Sequence, residues 1–201
     1  VALRVRAKAR GATDDAREDR VEAASVLSGA LGRTADAIEA WRAIESDGGR
    51  DDASAEALMA LFTAAGQEGE LADLLESEAA RAKDPKKSAV YMVRLGDLRR
   101  GQQGWEDALA SYRLALETDP ACEPAADGLR ALVAAEALDR TVLRDVVVAL
   151  EESYRAGGQW EALVALGSAR LGVAADDAAR ATILGETAKI LETELGDRHP
   201  T

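Results

Sequence analysis

Apolar residues recur along this chain at three- and four-residue steps. Ala57, Leu58, Leu61, Phe62 and Ala65 form one such set, and Val142, Val146, Val147 and Leu150 another. That spacing places each set on one face of an α-helix. No stretch of any length alternates apolar and polar residues in steps of two, so no strand is assigned. The pattern predicts helices over 2–10, 15–31, 34–46, 52–65, 69–82, 86–100, 104–118, 123–136, 140–156, 159–172 and 176–195. Breaks fall at glycines, at Asp-Pro pairs and at acidic or small-residue clusters. Asp84 and Asp119 are expected N-caps, because each precedes a proline suited to a first helical turn. Short helices joined by short loops must run antiparallel to their neighbours, giving helical hairpins.

Self-similarity adds a higher level of order. The segment 89–122 reads AVYMVRLGDLRRGQQGWEDALASYRLALETDPAC. It resembles one unit of the tetratricopeptide family, whose period is about 34 residues. Leu95 and Gly96 stand at the family's Leu-Gly, and Ala108, Tyr112, Ala115 and Pro120 at its small, aromatic, small and proline positions. Met92 and Arg99 depart from the pattern, occupying the usual Trp and Tyr places. Gly96 and Ala108 would allow two helices to approach closely, and Tyr112 with Ala115 would offer a large–small pair to the next hairpin. Ala37, Trp41 and Ile44 echo Ala108, Tyr112 and Ala115.

A slide of 89 residues aligns 69–98 with 158–187 at seven identities: Gly69/Gly158, Leu74/Leu163, Ala80/Ala169, Arg81/Arg170, Ala89/Ala178, Leu95/Leu184 and Gly96/Gly185. Roughly three are expected by chance in so Ala- and Leu-rich a chain. The resemblance implies a right-handed α-α superhelix, a solenoid of roughly ten or eleven helices spanning 1–201 as a single array. The 54 residues between the turns at Gly104 and Gly158 fit neither one repeat nor two, so irregular helix pairing and a change of pitch are expected around 120–157. Val1 in a helical context, and a last helix running to Gly196-Asp197 without a polar cap, suggest a piece of a longer array.

Composition narrows the function. Only 3% of residues are aromatic, and alanine and leucine carry much of the 47% hydrophobic content, which suits thin, closely stacked helices. Arginine outnumbers lysine 20 to 5 and asparagine is absent, as in proteins encoded by GC-rich, bacterial-type genes. A net charge of −12 repels a phosphate backbone, so nucleic acid is not an expected partner. The basic run Arg4, Arg6, Lys8, Arg10 reads as a solvated helix flank. One cysteine, Cys122, excludes an internal disulfide and fits a reducing compartment such as the cytoplasm. No apolar run reaches the length of a membrane span.

Catalytic chemistry finds no foothold. His199 is the only histidine and lies in a tail, leaving no His-based acid–base pair or metal set. Cys122 lacks a neighbouring base and reads as a loop thiol. Asp51-Asp52, Glu151-Glu152 and Asp176-Asp177 read as helix caps. The glycines at 101, 104, 157 and 158 read as hairpin turns, since neither a preceding strand nor a following Gly-Lys-Ser/Thr makes a phosphate loop. Trp41, Trp105 and Trp160 are expected in the core. The expected function is therefore non-catalytic and free of cofactor or metal, and the tetratricopeptide resemblance implies a scaffold binding a peptide or protein segment in a concave groove. The alternative is a structural spacer within a large repeat protein.

The family resemblance places Val90, Val93, Asp97 and Arg100 toward that groove, and the 89-residue echo adds Ala179, Thr182, Glu186 and Lys189. Asp97/Arg100 and Glu186/Lys189 would then be matching acid–base pairs at i,i+3. Tetratricopeptide domains that clamp a C-terminal carboxylate use asparagine, so a chain without asparagine lacks that clamp.

Overall fold

The computed structural model describes residues 2, 5, 6, 14–135 and 138–196, with the side chains of 14 and 15 excepted. His199 and the basic positions Arg4, Lys8 and Arg10 lie outside the described residues. Among the described residues eleven α-helices make up the fold: α1 (Asp14–Ser28), α2 (Thr34–Gly48), α3 (Asp52–Ala65), α4 (Glu68–Arg81), α5 (Pro85–Gly101), α6 (Trp105–Thr118), α7 (Glu123–Val133), α8 (Arg140–Ala156), α9 (Trp160–Ala165), α10 (Gly167–Val173) and α11 (Asp177–Ile190). A π-helical turn, Leu191–Leu195, extends α11. No strand occurs among the described residues. The chain divides into two compact units, Val1–Glu78 and Ala79–Thr201, and in each the helices pack in chain order as in a helical solenoid.

Local chemistry sets most boundaries as expected. Asp51 caps α3 by accepting from Ser54 N at 2.8 Å, and Ser54 Oγ accepts from the Asp51 N–H, a reciprocal box that satisfies two donors. Asp84 caps α5 ahead of Pro85, and Asp176 caps α11. Gly66 ends α3 in the left-handed region at φ 65°, where a Cβ would be strained. The turn after α5 is different, because Gln103 takes the left-handed conformation at φ 61° beside a glycine that does not.

Three expectations need correction. Asp119 does not open a helix: it follows the end of α6 and accepts from Ala121 N, and the next helix begins only at Glu123, with Pro124 in its first turn. The helix expected over 159–172 is interrupted at Leu166. Glu151 and Glu152 lie late in α8 and cannot cap a helix start.

The first unit buries one face of each helix, with Trp41, Ile44, Leu58, Phe62 and Leu75 among its covered side chains. In the second unit α5 and α6 form the most intimate pair, and α7 packs on α5, α6 and α8. The segment between the Gly104 and Gly158 turns thus holds three helices, with α7 seated on both of its chain neighbours. Tyr112, Leu129, Leu132, Val146, Leu150 and Leu163 lie at the centre of this core. Trp105 and Trp160 are half-buried and pack against it.

Candidate partner-binding surface

Tyr112 organises the α5–α6 hairpin. Its ring is fully buried, with the helical backbones of Gly96 in α5 and Gly128 in α7 against it. A Cβ added at Gly96 would lie 2.5 Å from Tyr112 Cε1, and one at Gly128 would lie closer still. Both glycines sit inside helices, where glycine costs roughly 1 kcal/mol relative to alanine. Room for the ring is the physical reason for them. The ring carries its hydroxyl through the packed layer to α5, where it donates to Asp97 Oδ1 at 2.8 Å and accepts from Arg100 Nε at 3.2 Å. Arg100 Nη2 also donates to Asp97 Oδ1 at 3.1 Å, closing a three-member network. Burial raises the Tyr112 pKa to about 12, and the Asp97 carboxylate beside the hydroxyl adds to the rise.

The next hairpin repeats this device. Tyr154 of α8 is buried, and its hydroxyl accepts from Arg130 Nη1 of α7 at 2.9 Å. Arg130 also pairs with Asp127, three residues earlier, and with Glu123 at 2.9 Å. Asp97/Arg100 and Asp127/Arg130 are therefore equivalent pairs on the first helices of consecutive hairpins, each tied to a tyrosine from the second helix. All four charged side chains remain between 39% and 64% exposed, so each pair is held in place yet open to solvent.

The residues proposed from the sequence divide accordingly. Val90 is exposed on α5, and Asp97 and Arg100 are half-exposed and joined. Val93 is buried and belongs to the core cluster, so it does not project into a groove. On α11, Ala179 is half-buried while Thr182 and Lys189 are exposed. Glu186 has different partners from those the 89-residue echo implies. It accepts from Arg170 at 2.7 Å and Arg155 at 2.8 Å, while Lys189 takes no part in that network. The Arg170 side chain is 4% exposed and also grips Glu151 through Nε and Nη2 at 3.0 and 2.9 Å. The Arg170 hydrogen bond, with Arg155 close by, holds the Glu186 carboxyl below its usual range.

Sequence reasoning missed Asp127, Arg130 and Tyr154, although the signal was present. Asp-x-x-Arg occurs at 97–100 and again at 127–130, each followed by a helix bearing a tyrosine. The interval from arginine to tyrosine doubles from 12 residues to 24, mainly because Tyr154 stands late in α8 whereas Tyr112 stands midway along α6, and this hid the match.

Compared with known proteins, the chain matches no family model and no curated protein. Chemistry elsewhere is sparse. No group of three or more metal-ligating side chains converges among the described residues, and no described helix is long and apolar enough to cross a membrane. Cys122 is buried, which raises its thiol pKa. The first unit has a polar cleft of its own, where Arg42 lies over the Phe62 ring at 5.5 Å and Arg50 donates to Glu45 at 3.0 Å.

Proposed function

We propose that the chain is a non-catalytic interaction scaffold of tetratricopeptide type, which receives a peptide or protein segment on the first-helix surface of α5 and α7. The supporting observation is the repeated Asp–Arg–Tyr arrangement. Two acid–base pairs stand on consecutive hairpins with their orientation fixed by buried phenol rings. Fixing a polar side chain before a partner arrives removes part of the ordering entropy that binding must otherwise overcome. An arginine fork so placed can share a partner's carboxylate or backbone carbonyl, while Asp97 or Asp127 accepts its N–H groups. Val90, exposed on α5, adds an apolar contact. A single buried thiol suits a reducing compartment, and the cytoplasm is the location proposed with this function.

Peptides selected from a displayed library on the immobilised protein provide the test, with affinities measured by fluorescence anisotropy. The double substitutions Asp97→Ala/Arg100→Ala and Asp127→Ala/Arg130→Ala should each weaken binding by about tenfold or more, as loss of central polar contacts does elsewhere. Unchanged affinity in both variants removes this surface from the function. A second reading, a structural spacer, draws on the fact that Arg100 and Arg130 already have partners within their own hairpins. A selection that yields no peptide favours the spacer.

A further inference from the structure

The second helices of the same two hairpins enclose a cleft separate from the Asp–Arg surface. On α6, Arg113, Leu116 and Glu117 line it, and the same face continues to Pro120. On α8, Ala149, Glu152, Ser153 and Ala156 line it. Both sets follow i, i+3, i+4, i+7 spacing, so each helix presents one continuous stripe to the space between them. The cleft has a volume of about 200 Å³. A neighbouring cavity of about 330 Å³ shares Leu116, Pro120, Ser153 and Ala156 with it and reaches Cys122 and Glu123. The floor is aliphatic. At the rim, Glu117 and Glu152 are exposed, come from opposite helices, and are paired with no cation among the described residues.

We propose that this cleft docks a basic amphipathic helix, one that seats a large aliphatic side chain between α6 and α8 and sets lysine or arginine against Glu117 and Glu152. The argument has two parts. A groove between two helices, each offering an i, i+3, i+4, i+7 stripe, accepts the ridge of a third helix. The rim carries more carboxylates than the single Arg113 can balance, and the whole chain has a net charge of −12, so a cationic partner is steered toward it and an acidic one repelled. The volume suits a leucine or methionine anchor.

The probe is a Leu/Lys amphipathic helix of about 15 residues, long enough to hold helical structure on a surface, beside a Leu/Glu helix of the same pattern. Binding to the full chain is measured by fluorescence anisotropy at two ionic strengths. The Leu/Lys helix should bind and the Leu/Glu helix should not. Glu117→Lys/Glu152→Lys should raise Kd by about tenfold or more, whereas Glu18→Lys/Glu39→Lys, an equal change of net charge elsewhere, should leave it within about twofold. Ala156→Trp, which fills the cleft at constant charge, should weaken binding as the rim reversal does. Circular dichroism establishes that each variant is folded, and if Ala156→Trp is not, the two charge pairs alone decide. Equal loss in both charge pairs would mean attraction to bulk charge and overturn the proposal, as would binding of the Leu/Glu helix. Asp97→Ala/Arg100→Ala should leave this binding unchanged, which separates the cleft from the first-helix surface.

Discussion

In the α5–α6 hairpin the second-helix tyrosine is fixed on both faces and at its hydroxyl. Tyr112 has a glycine backbone on either side, and its hydroxyl both donates to Asp97 and accepts from Arg100. In the α7–α8 hairpin, Tyr154 is equally buried, but no described glycine lies against its ring and its hydroxyl accepts from Arg130 alone. There Asp127 reaches the arginine and not the phenol. The same layout is therefore built once by shape and hydrogen bonding together, and once mainly by an arginine. Shape complementarity makes the first hairpin intolerant of change. The second should yield more easily.

The largest test removes the rings. Tyr112→Ala and Tyr154→Ala should each cost about 3–5 kcal/mol in urea unfolding. Tyr112→Ala should sit at the upper end, because the helix backbones beside its ring cannot readily collapse into the vacancy. Equal or reversed costs would break the distinction between the hairpins. Next in size is Gly128→Ala, which should destabilise by about 1–3 kcal/mol through overpacking against Tyr112. In a Tyr112→Ala background the same change should reverse sign and stabilise by about 0.5–1 kcal/mol, because only helix propensity remains. A cost that persists without the ring would show that the glycine serves something else.

The unequal legibility of these features in the sequence has a physical origin. Helices were readable because burial imposes a 3.6-residue period on Leu58, Phe62, Val146 and Leu150 that no loop can imitate. Gly96 and Tyr112 stood out through the family resemblance, which pairs Gly96 with Ala108 and Tyr112 with Ala115; that Gly96 lies against the ring itself is visible only in the fold. Asp119 misled because Asp-Pro satisfies the chemistry of a helix start and of a turn equally well. Its side chain serves Ala121 N in a turn, and the helix waits for Glu123. Glu186 misled for a different reason. An i,i+3 acid–base pair is a local signal worth a few tenths of a kcal/mol, and tertiary packing brought two arginines to Glu186 from α8 and α10. The Tyr154 device was hidden mainly by the place of the tyrosine late in α8, to which the longer connection adds only a few residues.

The pH dependence offers a finer comparison. The folded-state pKa of Tyr112 is about 12, against about 10 for an unfolded tyrosine. Between these values the native state binds more protons than the unfolded state, so stability falls as pH rises. The urea midpoint should be unaffected by this group below about pH 10 and decline from there to about pH 12. Tyr112→Phe should flatten that decline and remove one late component from the phenolate absorbance titration. A decline unchanged in Tyr112→Phe would assign it to other groups.

The smallest effect separates the two aspartates. Asp97→Ala deletes the acceptor of the Tyr112 hydroxyl as well as the partner of Arg100, so it should cost about 0.5–1.5 kcal/mol, the usual net value of one intramolecular hydrogen bond. Among the described residues Asp127 pairs with Arg130 alone, whose guanidinium retains Glu123 and the Tyr154 hydroxyl when that aspartate is gone. With the Asp127 side chain 64% exposed, water screens the lost pair, and Asp127→Ala should cost about 0.5 kcal/mol or less. Adding Tyr112→Phe should abolish most of the Asp97→Ala cost, because the phenol–carboxylate bond is then absent from both members of the cycle. Adding Tyr154→Phe should leave the Asp127→Ala cost as it was. Coupling of similar size in both cycles would mean that Tyr154 senses its aspartate through Arg130, and that the two hairpins differ in the shape of the ring site but not in the wiring of their charges.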